Sequence, residues 1–266
     1  MPHTAADGPI RVEAVEDKQG LKTFIEVPWA LYRDDPAWTP PLKFERMDLL
    51  NEKKNPYFAH ARAQFWVGYR GEVPIGRISA QVDDLAHTSH GPGTGHFGMI
   101  EAPDDGEIFA ALFDTAEGWL KEQGMSRSLG PFNLSVNEEC GILVDGFDEP
   151  PRILMGHALP YYGQRVEELG YEKAKDLWAY DLDITQEFPE NVQKILRRAE
   201  AMGSLSLRKL SKKRMDEDLK TIIDIFNDAW RDNWGFIPMT AREIEKTGED
   251  LKPFLREDAC YIVDYE

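Results

Sequence analysis

A chain of 266 residues with 42% hydrophobic and 11% aromatic residues can form one large globular domain or two of ordinary size. Its formal charge of −17 at pH 7 opposes broad contact with phosphate backbones or anionic membranes, so we expect neither nucleic acid nor membrane as a partner. No stretch approaches the ~18 to 20 consecutive apolar residues of a membrane span, and residues 1–9 are expected to form a short disordered lead-in rather than a secretory signal.

Hydrophobic periodicity predicts these elements first: strand 10–15, helix 21–29 ended or bent at Pro28, helix 42–50, hairpin strands 64–69 and 75–82, strand 96–101, helix 108–120, strand 128–132, helix 161–169 and strand 177–184. A connecting helix, 188–202, precedes a second set: strand 205–210, helices 215–230 and 241–254, and strand 259–265. Antiparallel strands come first and a crossover helix then joins two parallel strands, so the predicted fold class is a mixed α/β (α+β) sheet. No G-x-G-x-x-G or Walker sequence follows a predicted strand, which disfavours nucleotide-binding folds.

The chain nearly repeats itself at a spacing of roughly 196 residues. Residues 32–40 align with 230–238, and weaker matches pair 65–70 with 261–266 and 10–15 with 205–210. Three matches in the same order indicate two related folding units. We therefore expect a complete first domain at 10–184, a connecting helix at 185–203, and the opening third of a second domain at 204–266.

Three further segments carry a resemblance to a known family. Residues 70–78 (RGEVPIGRI), 117–125 (EGWLKEQGM) and 165–172 (RVEELGYE) resemble the second-to-third strand hairpin, the end of the central helix and the end of the fourth helix in the GNAT superfamily of acyl-CoA-dependent N-acyltransferases. The likeness covers 10–184 as a whole unit and 204–266 as the start of another. In this respect the chain resembles tandem, double-GNAT bacterial proteins of uncharacterised function.

The resemblance implies acetyl-CoA or another acyl-CoA as cofactor, held in a V-shaped split between the fourth and fifth strands. A strand N–H around Met99 to Glu101 would polarise the thioester carbonyl, and the turn containing Gly106 would hold the pyrophosphate on helix N–H groups. That turn, 101–107, has four carboxylates, one glycine and no basic residue. Its carboxylates would cap the helix and repel a pyrophosphate, so the first unit is predicted to be a poor cofactor site. The complete second unit is expected to carry the cofactor.

A polar segment after the fifth strand is the strongest candidate for a substrate site. Alternation places Asn133, Ser135 and Asn137 on one side, where they would line a pocket and orient a polar substrate. Glu138 or Glu139 would then take a proton from an amine. The alternative is a loop in which the Asn and Ser side chains satisfy their own backbone.

Two tyrosines and one arginine complete the predicted site. Tyr161 would pack over a ligand and Tyr162 would donate a proton, although core packing is an alternative for both. The acid tyrosine that is frequent in the superfamily corresponds to Val166 here, so that group is missing. Arg33 lies in the repeated segment, which covers the acceptor substrate in GNAT folds; an ion pair at a helix end is the alternative.

The histidines and cysteines predict little chemistry of their own. His87, His90 and His96 lie close together, but histidine spacing alone is weak support for a metal, and we predict none. Cys140 and Cys260 form no C-x-x-C pair, which favours a reducing cytoplasm over a disulfide scaffold.

Two functional hypotheses follow. The first is a GNAT-type acyltransferase that moves an acyl group from acyl-CoA to the amine of a small polar substrate, with the first unit shaping the acceptor cleft or a homodimer interface. The second is a non-catalytic ligand-binding or dimerisation module on the same scaffold, because a fold can persist after its site has changed.

Overall fold

A computed structural model describes residues 8–183, 185–201, 203, 205–252, 256 and 259–265. They belong to two compact units. The first contains 8–174 together with Trp230–Pro238, and the second contains Lys175–Ala229 with the described part of Met239–Glu266. The repeat partner of 32–40 thus belongs to the first unit, and the domain limits expected from the repeat remain predictions.

The first unit is built on a mixed five-stranded sheet, with strand order β1-β2-β3-β4-β5. Strands β1 to β4 are antiparallel neighbours, whereas β4 and β5 are parallel. The predicted mixed α/β class is therefore confirmed. The bounds are β1 Ile10–Ala14, α1 Lys18–Leu31, α2 Lys43–Leu49, a 3-10 turn Pro56–Ala59, β2 Ala61–Arg70, β3 Val73–Asp83, α3 Ala86–His90, β4 Thr94–Glu101, α4 Gly106–Glu122, β5 Arg127–Leu129 and α5 Tyr162–Glu168.

Helices cover both faces of this sheet because side chains alternate along its strands. On β2, Trp66 packs in one core cluster with the buried face of α4, which includes Ile108 and Leu112. The next residue, Val67, packs in a second cluster with Phe24 of α1. The hairpin between β2 and β3 closes through a two-residue turn whose first residue is Gly71 at φ +58°.

Of the two effects expected of Pro28, the end of the helix is wrong, since α1 continues to Leu31, and the bend stays a prediction. Proline has no N–H to donate to the carbonyl four residues earlier, which is that of Phe24. The guanidinium of Arg77 donates to this oxygen instead, at 3.2 Å. A side chain from β3 thus replaces the missing helical hydrogen bond.

The predicted strand 177–184 is not formed among its described residues, 177–183, and Ile184 lies outside them. Leu177, Trp178, Tyr180 and Leu182 are all exposed. Alternating apolar residues form a strand only when a neighbouring strand accepts their backbone hydrogen bonds. No described strand pairs with this segment.

The second unit contains a two-stranded antiparallel sheet, β6 with β7. Its elements have these bounds: α6 Glu190–Ala201, β6 Leu205–Lys209, a 3-10 turn Lys212–Arg214, α7 Met215–Trp230, α8 Ala241–Leu251 and β7 Tyr261–Tyr265. Arg208 bonds the buried carboxylate of Asp218 at 2.5 Å and the carboxylate of Asp264 at 3.0 Å. This cation therefore has structural partners of its own.

Thr240→Ala is expected to destabilise α8 locally by about 0.5–2 kcal/mol. Thr240 and Glu243 form a capping box in which each side chain accepts from the other's backbone N–H. Amide hydrogen exchange should accelerate in the first turns of α8. Thr221→Ala, inside α7, is the matched control, because its hydroxyl bonds only a carbonyl of its own helix. Equal exchange rates in the two variants would contradict the assigned cap.

Candidate functional site

A cavity of about 410 Å³ opens beside the carboxyl end of β4. Strands β4 and β5 pair over only three residues each, and β5 ends at Leu129 whereas β4 continues to Glu101. The chain after β5 and the segments around α1 and α2 enclose the space that results. We call it the β4 cavity. Six of the sequence-predicted site residues line it: Met99, Glu101, Asn133, Glu138, Glu139 and Tyr162.

The other site residues predicted from the sequence do not line the β4 cavity. Ser135 accepts from the N–H of Asn137 at 3.2 Å, and the Asn137 side chain donates to the carbonyl of Ile237 at 3.0 Å. Tyr161 donates to the carbonyl of Ala102 at 2.8 Å. Arg33 is exposed, and Gly106 is the first residue of α4. Ser135 thus fits the alternative of a loop that satisfies its own backbone.

Glu101 is the centre of a largely buried polar cluster. Its carboxylate accepts from the hydroxyls of Tyr32 at 2.5 Å and Tyr162 at 2.8 Å, and Arg77 lies 3.5 Å from its second oxygen. Burial raises the pKa of Glu101 above its usual value, although Arg77 and the two hydroxyls oppose this. Burial also raises the pKa of both tyrosines, so they remain hydroxyl donors.

The acidic turn is not the uncompensated negative patch that local sequence implies. Asp104 pairs with Arg165 at 2.8 Å, and Asp105 pairs with Arg70 at 2.5 Å. These arginines, like Arg77 opposite Glu101, come from elements distant in sequence. The expected capping is confirmed, because Asp105 accepts the Glu107 N–H at 2.9 Å.

Met99 lies at a β-bulge, where one extra residue of β4 faces β3. Its φ is +47°, and its N–H donates to the side-chain oxygen of Asn133 at 2.7 Å. The Asn133 amide in turn donates to Glu139 at 2.8 Å, and Glu139 is ion-paired with Arg46. The N–H predicted to polarise a thioester is therefore engaged by a side chain.

Backbone strain concentrates around the cavity. Among the described residues, the non-glycine residues with positive φ are Met99, Leu134 and Leu154. Met99 and Leu154 line the cavity, and Leu134 follows Asn133 directly. Such conformations each cost about 1–3 kcal/mol and cluster at functional sites.

A histidine on the wall of the β4 cavity is paired with an aspartate. His157 lines the cavity, its side chain is 5% exposed, and its Nε2 lies 2.8 Å from a carboxylate oxygen of Asp35. The other ring nitrogen, Nδ1, has no hydrogen-bond partner among the described residues. The ring of Tyr32 contacts the imidazole edge to face, with centroids 5.1 Å apart.

Sequence reasoning missed five polar residues that complete the cavity and its support: Tyr32, Asp35, Arg46, Arg77 and His157. The one available signal was the repeated segment 32–40, which contains Tyr32 and Asp35. The position equivalent to the superfamily's acid tyrosine, Val166, is buried in the core. Tyr162 lies one helical turn before it and reaches Glu101.

His87, His90 and His96 form no metal site among the described residues. His90 bonds His96 at 2.8 Å and the carbonyl of Gly235 at 2.8 Å. Burial lowers the pKa of both histidines, that of His96 to about 3. In the part of the chain that the structure describes, no helix is long and apolar enough to cross a membrane.

Solved structures that resemble the chain are GNAT acetyltransferases. A tandem GNAT protein from the clavulanic acid biosynthesis pathway aligns with a TM-score of 0.48 at 12% identity, covering 91% of this chain and 66% of that one. A Trypanosoma brucei acetyltransferase aligns with a TM-score of 0.40 at 14% identity, covering 65% and 100%. Both TM-scores are below 0.5.

The sequence is also similar to two curated bacterial proteins, whereas no family model matches it. It is 46% identical over 253 residues to the bacterial ceramide synthase of Caulobacter vibrioides, covering 95% of this chain and 66% of that protein. It is 42% identical over 253 residues to protein YghO of Escherichia coli, covering 94% and 64%. The chain thus spans about two thirds of the length of these relatives.

Proposed function

We propose that this chain forms the amine-binding part of an N-acyltransferase, in which an acyl-CoA donates a fatty acyl group to the amino group of a long-chain amino alcohol. Similarity over 95% of the chain to a protein named ceramide synthase supports this reaction class. A ceramide is by definition the amide of a fatty acid and a long-chain amino alcohol. The GNAT resemblance supports acyl-CoA as the donor.

The observation that carries the proposal is the polarity of the β4 cavity. Its inner wall holds the charges of Glu101 and Arg77, whose side chains are 13% and 14% exposed. Its outer wall includes Leu42, Ile153 and Leu154, which are apolar and exposed. A site with polar groups inside and apolar groups at the mouth suits an amphiphile that enters head first.

Charge and hydrogen bonding assign the polar head of the substrate to the Glu101 cluster. A carboxylate attracts an ammonium group, and the Tyr32 and Tyr162 hydroxyls fix the carboxylate in place. Glu139 is held by Arg46 and Asn133, so we assign it to positioning rather than to proton transfer.

The donor side of the reaction fits this unit less well. Asp105 already accepts the Glu107 N–H at the start of α4, where a pyrophosphate would need open amides. The Met99 N–H would reach a thioester carbonyl only after Asn133 releases it. We therefore assign the amine acceptor to this unit and treat acyl-CoA as a co-substrate whose binding requires the side chains of Asn133 and Asp105 to move away from these N–H groups.

Sphinganine is expected to bind the chain and to change tryptophan fluorescence, because Trp29 and Trp38 line the cavity. 1-Octadecanol, which lacks the amine, is the matched control and should bind more weakly. Glu101→Gln should weaken sphinganine binding about 10-fold or more, since a hydrogen bond to a charged group contributes about 1.5–3 kcal/mol. Circular dichroism checks that this variant is folded. Equal affinity for the amine and the alcohol would contradict the proposal.

The rival function is a ligand-binding module without catalysis. It is favoured by the engagement of the Met99 and Glu107 N–H groups by the chain's own side chains. Mass spectrometry after incubation with palmitoyl-CoA and sphinganine separates the two. Saturable amine binding without an N-acyl product would favour the module, and product formation would exclude it.

A further inference from the structure

We infer that His157, oriented by Asp35, accepts the proton that the acceptor amine loses when the amide bond forms. This inference rests on the proposed function and adds to it a proton acceptor on the cavity wall. His157 was not among the site residues predicted from the sequence.

The Asp35 carboxylate is held in place by hydrogen bonds that it accepts. One carboxylate oxygen accepts from His157 at 2.8 Å and the other accepts from the Ala37 N–H at 2.9 Å. Burial alone would raise the pKa of Asp35, but hydrogen bonds from His157, Ala37 and Trp38, together with the electrostatic effect of His157, lower it. An ionised carboxylate only accepts, so the neutral imidazole must carry its proton on Nε2.

In the neutral imidazole, the lone pair of His157 therefore lies on Nδ1. That atom is buried and has no partner among the described residues, although the imidazole belongs to the wall of the cavity. A buried acceptor without a partner is uncommon and calls for a specific explanation. An amine N–H bound in the β4 cavity would supply the missing donor.

Two other carboxylates of the cavity wall already have partners. Glu101 accepts from two hydroxyls and faces Arg77, and Glu139 is held by Arg46 and Asn133. Tyr32 joins the two parts of the site, since its hydroxyl bonds Glu101 and its ring contacts His157. An amine held at Glu101 is thus placed beside the imidazole.

The chemical step balances with an acyl thioester as co-reactant. An ammonium group attracted to Glu101 first loses one proton to solvent. The neutral amine nitrogen then forms a bond to the thioester carbonyl carbon, and the carbon–sulfur bond breaks to release the CoA thiolate. The amine proton moves to Nδ1 of His157, and the imidazolium is stabilised by Asp35. The imidazolium then returns the proton to the thiolate or to water, which leaves amide and thiol as products.

His157→Gln is expected to lower kcat for N-acylation of sphinganine by about 10²–10⁴-fold, while the sphinganine Kd changes less than about 3-fold. Asp35→Asn should lower kcat as well, because an amide at this position can donate to Nε2 and so place the imidazole proton on Nδ1. His87→Gln, the same change at a histidine outside the cavity, should leave kcat unaltered. Loss of activity in Glu138→Gln but not in His157→Gln would overturn the inference.

A second readout does not need activity. In ¹⁵N-histidine spectra assigned by the loss of one signal in His157→Gln, His157 should show a protonated Nε2 and a bare Nδ1. Asp35→Asn should move the proton to Nδ1. A protonated Nδ1 in the wild-type chain would refute the inference, whereas absence of amine binding would refute the proposed function separately.

Discussion

Arg77→Met is expected to lower the free energy of unfolding of the first unit by about 3 kcal/mol at pH 7. The change leaves the carboxylate of Glu101 without its cation, which lies 3.5 Å away in a largely buried site. It also removes the donor that serves the Phe24 carbonyl above Pro28. Urea unfolding followed by tryptophan fluorescence measures the loss.

The loss of stability in Arg77→Met should increase as the pH rises. Burial already raises the pKa of Glu101, and removal of Arg77 raises it further. A carboxyl group whose pKa is raised in the folded state is uncharged below its unfolded pKa and costs little there. The loss should therefore be small near pH 4 and should grow as the pH rises through the folded pKa of Glu101.

A double variant and a surface control complete this test. Arg77→Met with Glu101→Leu should recover much of the lost stability at pH 7, because no buried charge is left unpaired. Arg62→Met removes a more exposed arginine from β2 and should change stability by less than about 0.5 kcal/mol. Equal losses of stability in Arg77→Met and Arg62→Met would show that the Arg77–Glu101 ion pair contributes little to the free energy of unfolding.

Gly98→Ala is expected to destabilise the first unit by about 1–3 kcal/mol, which is the usual range for overpacking. A Cβ at this position would lie 1.8 Å from the carbonyl oxygen of Phe132. Because this atom belongs to the backbone, the chain after β5 must move away from β4. The movement would strain the hydrogen bond from Phe132 N–H to the Phe97 carbonyl, now 2.8 Å.

Gly118→Ala is the matched control for this change. Gly118 lies inside α4, and an added Cβ would meet nothing within 4 Å. Alanine is favoured over glycine in a helix interior, so this variant should gain about 0.5–1 kcal/mol. Denaturation midpoints of both variants, compared with wild type, test the prediction. A Gly98→Ala variant as stable as Gly118→Ala would mean that β4 and the chain after β5 separate easily.

Local periodicity predicted most elements because the signals lie within each segment. Alternation along β2 and the apolar face of α4 both identify surfaces that must be buried. The failures at Pro28 and at 177–183 have one physical cause. In each place the outcome depends on a partner distant in sequence, which is Arg77 in the first case and an adjacent strand in the second.

The candidate site, too, was predictable only in part. Met99 was predicted on a strand and Asn133 and Glu139 in the segment that follows the next strand, and all three line the β4 cavity. The charge balance was not predictable, since the arginines opposite Glu101 and Asp105 lie on β3 and β2. The Asp35–His157 pair joins residues on two loops, so no spacing rule indicates it.

A proline inside a helix is usually regarded only as a loss of stability. In α1 it leaves the Phe24 carbonyl without the N–H of residue 28, and Arg77 donates to that oxygen. An ordinary amino acid at position 28 would add its own N–H to the same oxygen, which has two lone pairs and could be shared. A ring on one helix thus keeps this acceptor open to a cation on a strand.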